Sequence, residues 1–160
     1  MAHPRIVTLG AYGRSEDEFF AALQNAQVDF FCDIRRRRGV RGSEYAFVNS
    51  QRLQAKLAEM GIAYRHVKEL APSDAVRHAQ DEADKAAKVA KRKRTHLAPV
   101  FIQAYEETVL KDFSPQEFLA ALPSDVKTVA LFCVERAPEA CHRSLVAQRF
   151  ADLGMEVEHL

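Results

Sequence analysis

The sequence contains no apolar stretch long enough to span a bilayer, and only a short apolar run follows its first residues. We therefore expect neither a membrane helix nor a signal peptide. Cysteine is also scarce, and the odd number of three cysteines indicates reduced thiols rather than a disulfide framework. Internal repeats and coiled-coil patterns are absent as well. These absences predict a soluble, cytoplasmic protein with no membrane partner.

A large net charge is missing too, since the formal value is +1, but the basic residues are concentrated. Eleven of the 23 basic residues lie in two clusters. The first basic cluster is Arg35, Arg36, Arg37, Arg38 and Arg41, and the second is Lys85, Lys88, Lys91, Arg92, Lys93 and Arg94. Such clusters attract phosphates or nucleic acid. The alternative is a solvated loop and a solvated helix face, because Asp81, Glu82 and Asp84 supply helical ion-pair partners to the second cluster.

The 160 residues, 48% of them hydrophobic, fit one domain with a core of its own. Strand patterns at 5–9, 28–34, 62–67, 126–133 and 155–160 alternate with helix patterns. Ser15 with Glu18 forms a capping box, and Gly61 ends the second helix. The alternation predicts an α/β fold with a mostly parallel, Rossmann-like open sheet flanked by helices. Within this single domain, 1–160, the Ala-rich and charged segment at about 72–95 is predicted to be a basic helical insertion, exposed or mobile.

Polar residues follow four of the predicted strands at the point where each strand ends. Because ligands bind outside the carboxyl ends of the strands in an open α/β sheet, we expect these residues to form one site. The candidate catalytic residues are Asp33, Cys133, Glu135, Cys141 and His142. The candidate ligand-binding residues are Gly10, Tyr12, Gly13, Arg14, Arg35, Glu69 and Arg143.

Each of these groups also has a structural interpretation. The two glycines could supply turn geometry only, or admit a ligand phosphate to the backbone. Asp33 could pair with an arginine, or serve as a base, a metal contact or a ligand acceptor. Arg14, Arg35 and Arg143 could form structural ion pairs, but three arginines at one edge favour an anionic ligand.

The cysteines allow several kinds of chemistry. Cys133 at a strand end could be an ordinary small buried residue. Cys141 near a helix start, beside His142, is in a setting that favours a thiolate and hence a nucleophile. The seven residues between the two cysteines are not a usual zinc spacing, so no metal site is predicted. A phosphatase-type loop needs an arginine six residues after the cysteine, where this chain has Glu139 and Ala147.

Three blocks of the sequence resemble the domain of unknown function 488 family. They are Thr8-Leu9-Gly10-Ala11-Tyr12-Gly13-Arg14-Ser15 with Glu18 and Phe19, then Asp33-Ile34-Arg35, then Cys133-Val134-Glu135 with Cys141-His142-Arg143. The resemblance extends from Thr8 to His159. It implies a small bacterial or archaeal α/β protein whose family has no established activity to carry over. Where many relatives have a proline after the second block, this chain has Arg36-Arg37-Arg38-Gly39, which raises the local positive charge.

Three functional hypotheses follow. The leading one is an enzyme-like site for a phosphate-bearing ligand, a nucleotide or a nucleic acid, with Arg14, Arg35 and Arg143 neutralising the anion. Asp33 or Glu135 would then be a general base or metal contact and Cys141 the thiolate, whereas no particular cofactor is indicated. The second is a non-catalytic nucleic-acid-binding module that uses the basic clusters at 35–41 and 85–94. The third treats the last block as a structural hydrogen-bond cluster that holds the final helix to the sheet.

Overall fold

Five short strands form one sheet in the order β3-β2-β4-β1-β5, and every neighbouring pair is parallel. In the computed structural model, which describes residues 3–90 and 93–160, the strands are β1 (Arg5–Leu9), β2 (Phe30–Asp33), β3 (Ala63–His66), β4 (Thr128–Phe132) and β5 (Val157–His159). Strands β2 and β4 are buried at every position, which is typical of central strands covered on both faces. The prediction of an α/β fold with a parallel sheet is confirmed.

Six helices flank the sheet in the described part of the chain: α1 (Glu16–Asn25), α2 (Ser50–Glu59), α3 (Asp74–Ala86), α4 (Pro99–Thr108), α5 (Pro115–Ala120) and α6 (His142–Ala151). The capping box of α1 forms as predicted, since Ser15 Oγ accepts from the Glu18 amide at 3.1 Å and Glu18 Oε1 accepts from the Ser15 amide at 2.9 Å. These hydrogen bonds hold the pKa of Glu18 below its usual value. None of the described helices is long and apolar enough to cross a membrane.

The N-cap residue of the second helix makes a different hydrogen bond from that of α1. Asn49 occupies the N-cap position, but its side chain makes no capping hydrogen bond. Its Oδ1 atom accepts instead from the Val40 amide at 2.7 Å. This bond ties the loop that carries the first basic cluster to the start of α2, and so helps to fix that loop over the sheet edge.

Aromatic side chains fill the space between α1 and the sheet. Phe19 makes edge or tilted contacts with Phe31, Phe47 and Phe132, at ring-centroid distances of 6.5, 5.5 and 5.4 Å. Such pairs add about 0.5–1.5 kcal/mol each beyond their buried area. This packing holds the ends of β2 and β4 in place beneath the loops that follow them.

The charged segment at about 72–95 contributes α3, which packs against α4. Val76, Gln80 and Asp84 share its buried face. Lys85 is exposed and approaches Glu82 Oε1 to 3.6 Å, as the helical spacing predicts. Two members of the second basic cluster, Lys91 and Arg92, lie outside the described residues.

Candidate functional site

The loops after β1, β2 and β4 start at the same level of the sheet. Phe132, the last residue of β4, is in register with both Leu9 of β1 and Asp33 of β2. The residues that follow these three strands therefore meet at one edge, as the parallel topology requires. Most of the candidate residues follow these strands.

A cavity of about 550 Å³ opens at this edge. Its walls come from the first basic cluster, from α3 and α4, and from the loop after β4. Six arginines and two carboxylates line it, namely Arg35, Arg36, Arg37, Arg41, Arg77, Arg94, Asp81 and Glu135. Arginines therefore outnumber carboxylates in the cavity wall, and Arg35 and Arg94 are paired with buried carboxylates. Cys133, Cys141 and His142 contribute sulfur and imidazole groups to the same lining.

These last three side chains form what we call the thiol–imidazole cluster. One sulfur or ring nitrogen from each of them lies within 4.8 Å of the others. Cys141 Sγ is 3.7 Å from His142 Nδ1, and Cys133 Sγ donates to Glu135 Oε2 at 3.2 Å. All three residues are buried and reach the exterior through the cavity.

The tautomer of His142 is fixed by its environment. Its Nε2 atom lies 2.9 Å from the carbonyl oxygen of Ile34, which can only accept, so Nε2 carries the proton. The Nδ1 atom of the neutral ring then presents its lone pair to the two thiols. Burial opposes protonation of His142, but Cys133, the Ile34 carbonyl and Glu135 favour it, and together they raise its pKa. Contact with Cys141, together with burial, raises the pKa of the Cys133 thiol.

Arg94 joins the cluster to α3. Its guanidinium donates to Asp84 Oδ2 at 2.8 Å, to Glu135 Oε1 at 2.9 Å and to the Ala140 carbonyl at 3.2 Å. The arginine and both carboxylates are buried. Gln80 donates to Asp84 Oδ1 at 2.8 Å, which completes the shell of that carboxylate. The network therefore fixes the Glu135 carboxylate beside Cys133.

A second buried ion pair lies at the carboxyl end of β2. Arg35 Nε and Nη2 donate to the two oxygens of Asp33 at 2.8 and 2.7 Å, and the Tyr64 hydroxyl donates to Asp33 Oδ2 at 2.7 Å. Burial and the Asp33 carboxylate outweigh a hydrogen bond from Arg38 and raise the pKa of Tyr64 to about 12. Arg35 also lies over the Phe132 ring, 4.8 Å from its centroid. Its Nη1 atom is buried and has no hydrogen-bond partner among the described residues.

Replacing Asp33 by asparagine is expected to lower the free energy of unfolding by about 2–3 kcal/mol. The amide loses the charge that Arg35 faces and presents a donor to one of its nitrogens. Urea unfolding of Asp33→Asn beside the exposed control Asp125→Asn checks this expectation. A loss no larger than that of the control would contradict it.

Several candidates lie outside the cavity lining. Arg143 is fully buried, and its Nη1 and Nη2 atoms donate to the carbonyl oxygens of Glu135 and Arg136 at 2.6 and 3.2 Å. Arg14 lines a different pocket, and burial and the charge of Arg143 lower its pKa. Glu69 is exposed in a short 3-10 turn and does not reach the cavity.

Of the three candidate residues after β1, Tyr12 lines the cavity, whereas Gly10 and Gly13 do not. Tyr12 lines the cavity and packs against Tyr45, with ring centroids 5.0 Å apart. Gly13 adopts a φ of +86° and donates its amide to the Tyr45 hydroxyl at 2.9 Å. Gly10 lies beneath the loop after β4. The Hα atom that a Cβ would replace faces the Glu135 carbonyl oxygen. Tyr45 therefore joins the loop that carries the first basic cluster to the turn after β1.

Sequence reasoning missed the contribution of α3 and of Arg94 to this site. Arg94 was predicted only as part of a basic cluster, and Gln80 and Arg77 were not predicted at all. The sequence did contain a signal. Gln80 and Asp84 follow Val76 at intervals of four residues, so they share its helical face, and that face is buried. Such groups need partners, and here they find Arg94.

Comparison with known proteins gives one result. A family model described as "Domain of unknown function DUF488" matches residues 15–150, most of the chain. No curated protein and no solved structure matches significantly. The matched range includes the blocks around Asp33, Cys133 and Cys141, and it begins at Ser15, the last residue of the run that opens the first block. The chain therefore belongs to the domain of unknown function DUF488 family.

Proposed function

We propose that the protein is an enzyme that binds a phosphate-bearing small molecule, such as a nucleotide, in the cavity at the carboxyl edge of the sheet. The observation that carries this proposal is the Nη1 atom of Arg35, which is buried and has no partner among the described residues, on a side chain that lines the cavity. A buried donor without an acceptor is costly. A bound anion would supply the acceptor.

The charge and size of the cavity support the same ligand class. Arginines outnumber carboxylates by six to two in its lining. Arg37 is exposed, and Arg36 pairs with the exposed Asp74 at 3.0 Å, so an anion could recruit both guanidinium groups. Planar guanidinium groups match the geometry of phosphate oxygens. A volume of about 550 Å³ is within the usual range for small-molecule sites.

The adjacent chemistry favours an enzyme over a simple binding protein. The thiol–imidazole cluster shares the cavity with the arginines, so a ligand held by the guanidinium groups would lie against sulfur and imidazole. These groups serve as nucleophiles, general bases or metal ligands. Asp33 would act through Arg35, because Arg35 and Tyr64 take up both of its oxygens. Glu135 would hold the cluster rather than the anion.

We expect the double variant Arg36→Ala/Arg37→Ala to weaken nucleotide or inorganic phosphate binding about tenfold or more, because two charge-assisted contacts are lost. Calorimetric titration with nucleoside mono-, di- and triphosphates and with inorganic phosphate measures this change. The control Lys111→Ala/Lys127→Ala removes the same charge from exposed positions outside the cavity lining. The proposal is wrong if none of these probes binds the wild-type protein, or if the two double variants bind equally.

The alternative is a nucleic-acid-binding module that uses the basic clusters without catalysis. Burial of Arg35 and Arg94 removes one member of each cluster from the exposed surface. A module of this kind would bind oligonucleotides more tightly as their length increases, with an affinity that falls steeply with salt. In the same titrations, that pattern would distinguish it from a cavity that accepts a single nucleotide. The Cys141→Ser variant would then bind as well as the wild type.

A further inference from the structure

We propose that the thiol–imidazole cluster is a binding site for a soft divalent metal ion, Zn²⁺ foremost, with Cys133 Sγ, Cys141 Sγ and His142 Nδ1 as its protein ligands. This inference goes beyond the proposed function, because metal binding at these atoms requires no phosphate-bearing ligand. Thiolate and imidazole are the donors that Zn²⁺ prefers in proteins. Two thiolates would neutralise the ion, which suits a site from which solvent is largely excluded.

The distances fit a tetrahedral ion. Zinc lies about 2.3 Å from sulfur and about 2.0–2.1 Å from imidazole nitrogen, so tetrahedral angles place the sulfur and nitrogen ligands about 3.6 Å apart and two sulfurs about 3.8 Å apart. Cys141 Sγ is 3.7 Å from His142 Nδ1. Because all three donor atoms already lie within 4.8 Å of one another, small side-chain adjustments suffice to close the site.

The surroundings orient these donors. A zinc-binding histidine characteristically donates its other ring N–H to a carbonyl or carboxylate. His142 does this through Nε2, which lies 2.9 Å from the Ile34 carbonyl oxygen and so directs the Nδ1 lone pair at the thiols. Cys141 is the N-cap residue of α6, and its sulfur accepts from the Arg143 amide at 3.5 Å. This amide contact would help to orient the Cys141 sulfur as a metal ligand.

The separation of the cysteines in the sequence does not argue against this site. Zinc loops with short spacings hold both cysteines on one turn. Here Cys133 follows the end of β4, and Cys141 with His142 begins α6, so the sheet and the helix bring the donors together. The seven residues between the cysteines belong to the nine-residue connection, 133–141, between these two elements.

Three protein ligands leave one coordination position open. Catalytic zinc sites have three protein ligands and a water or substrate in the fourth position, whereas structural sites have four protein ligands. The nearby Glu135 carboxylate is held by Arg94, and it is not part of the donor set within 4.8 Å. All three ligand residues line the arginine-rich cavity. The open position would therefore face the ligand that the arginines bind.

Titration of the reduced wild-type protein with Co²⁺ and Zn²⁺ tests the site directly. We expect one ion per chain, with Co²⁺ giving sulfur-to-cobalt charge-transfer absorption and the intense visible bands of tetrahedral coordination. Added Zn²⁺ should displace Co²⁺ and abolish both signals. Absence of the charge-transfer band in the folded wild-type protein would overturn the proposal. Phosphate binding, scored separately without metal, keeps a failure here distinct from a failure of the proposed function.

Variants assign the ligands. Cys133→Ala and Cys141→Ala are each expected to weaken Zn²⁺ binding by more than about 100-fold, because loss of even an outer-shell partner costs about 10- to 100-fold. The matched control is Cys32→Ala, which removes the third buried cysteine, on β2 and outside the cluster. Unchanged metal affinity in Cys133→Ala and Cys141→Ala would overturn the assignment. If the wild-type protein as purified lacks two titratable thiols and takes up no metal, Cys133 and Cys141 form a disulfide. That outcome would also overturn the metal-site proposal.

Discussion

Replacing Gly10 by alanine is expected to lower the free energy of unfolding by about 3 kcal/mol or more, at the upper end of the cost of overpacking. A Cβ atom at this position would lie 1.9 Å from the Glu135 carbonyl oxygen. That oxygen is backbone, and Arg143 Nη1 already donates to it at 2.6 Å. Relief of the clash must therefore displace the loop after β4, which carries Cys133 and Glu135.

Neighbouring hydrogen bonds make this displacement costly. The Ala11 and Tyr12 amides both donate to the Val134 carbonyl oxygen, at 3.0 and 2.9 Å. Chemical denaturation of Gly10→Ala measures the loss of stability, with Gly39→Ala as the matched control. Among the described residues, the nearest heavy atom to a Cβ at Gly39 would be Asn49 Oδ1 at 3.9 Å, and the φ of Gly39 is not positive. Equal stability of the two variants would contradict the close approach of the β1 and β4 loops.

Replacing Arg94 by alanine is expected to cost about 3–5 kcal/mol, because it leaves two buried carboxylates without their cation. Asp84 and Glu135 each lie within 3 Å of an Arg94 nitrogen, and the side chains of all three residues are about one-tenth exposed or less. The change also removes the donor to the Ala140 carbonyl. The loss should appear both as a lower unfolding midpoint and as easier proteolysis of α3.

Two further variants separate charge from packing in this network. Lys93→Ala removes the exposed neighbouring cation and should change stability by less than about 0.5 kcal/mol. Adding Asp84→Asn and Glu135→Gln to Arg94→Ala neutralises both carboxylates, so it should recover part of the loss. If Arg94→Ala is as stable as Lys93→Ala, the buried bridge between α3 and the loop after β4 does not exist.

The fold was largely predictable because its determinants are local. The alternation of strand and helix patterns, the Ser15–Glu18 capping box and the helix-ending Gly61 each depend on residues close together in the sequence. The boundaries were less well predicted. The strand expected at 28–34 spans only Phe30–Asp33, although Ile34 still packs in the core and donates its amide to the Phe132 carbonyl oxygen of β4.

The candidate site was predictable as a place but not as a set of contacts. Parallel topology brings the ends of β1, β2 and β4 to one edge, and this follows from the order of elements alone. Whether an arginine there faces a ligand or a backbone carbonyl depends on its long, flexible side chain. Arg143 donates to two carbonyls, Arg35 binds Asp33 and lines the cavity, and Arg94 bridges two carboxylates. Their sequence contexts do not distinguish these outcomes.

By itself, the sequence determined the α/β class, the parallel sheet, the family and the edge at which polar residues gather, because periodicity, capping and topology are set by short segments. The tertiary structure decided which of those residues share a cavity. It brought Cys133 to Cys141 and His142 across a seven-residue loop, and Arg94 to Glu135 from a segment some forty residues earlier. The physical reason is that burial, and hence the need of each charge for a partner, is a property of the packed molecule and not of the local chain.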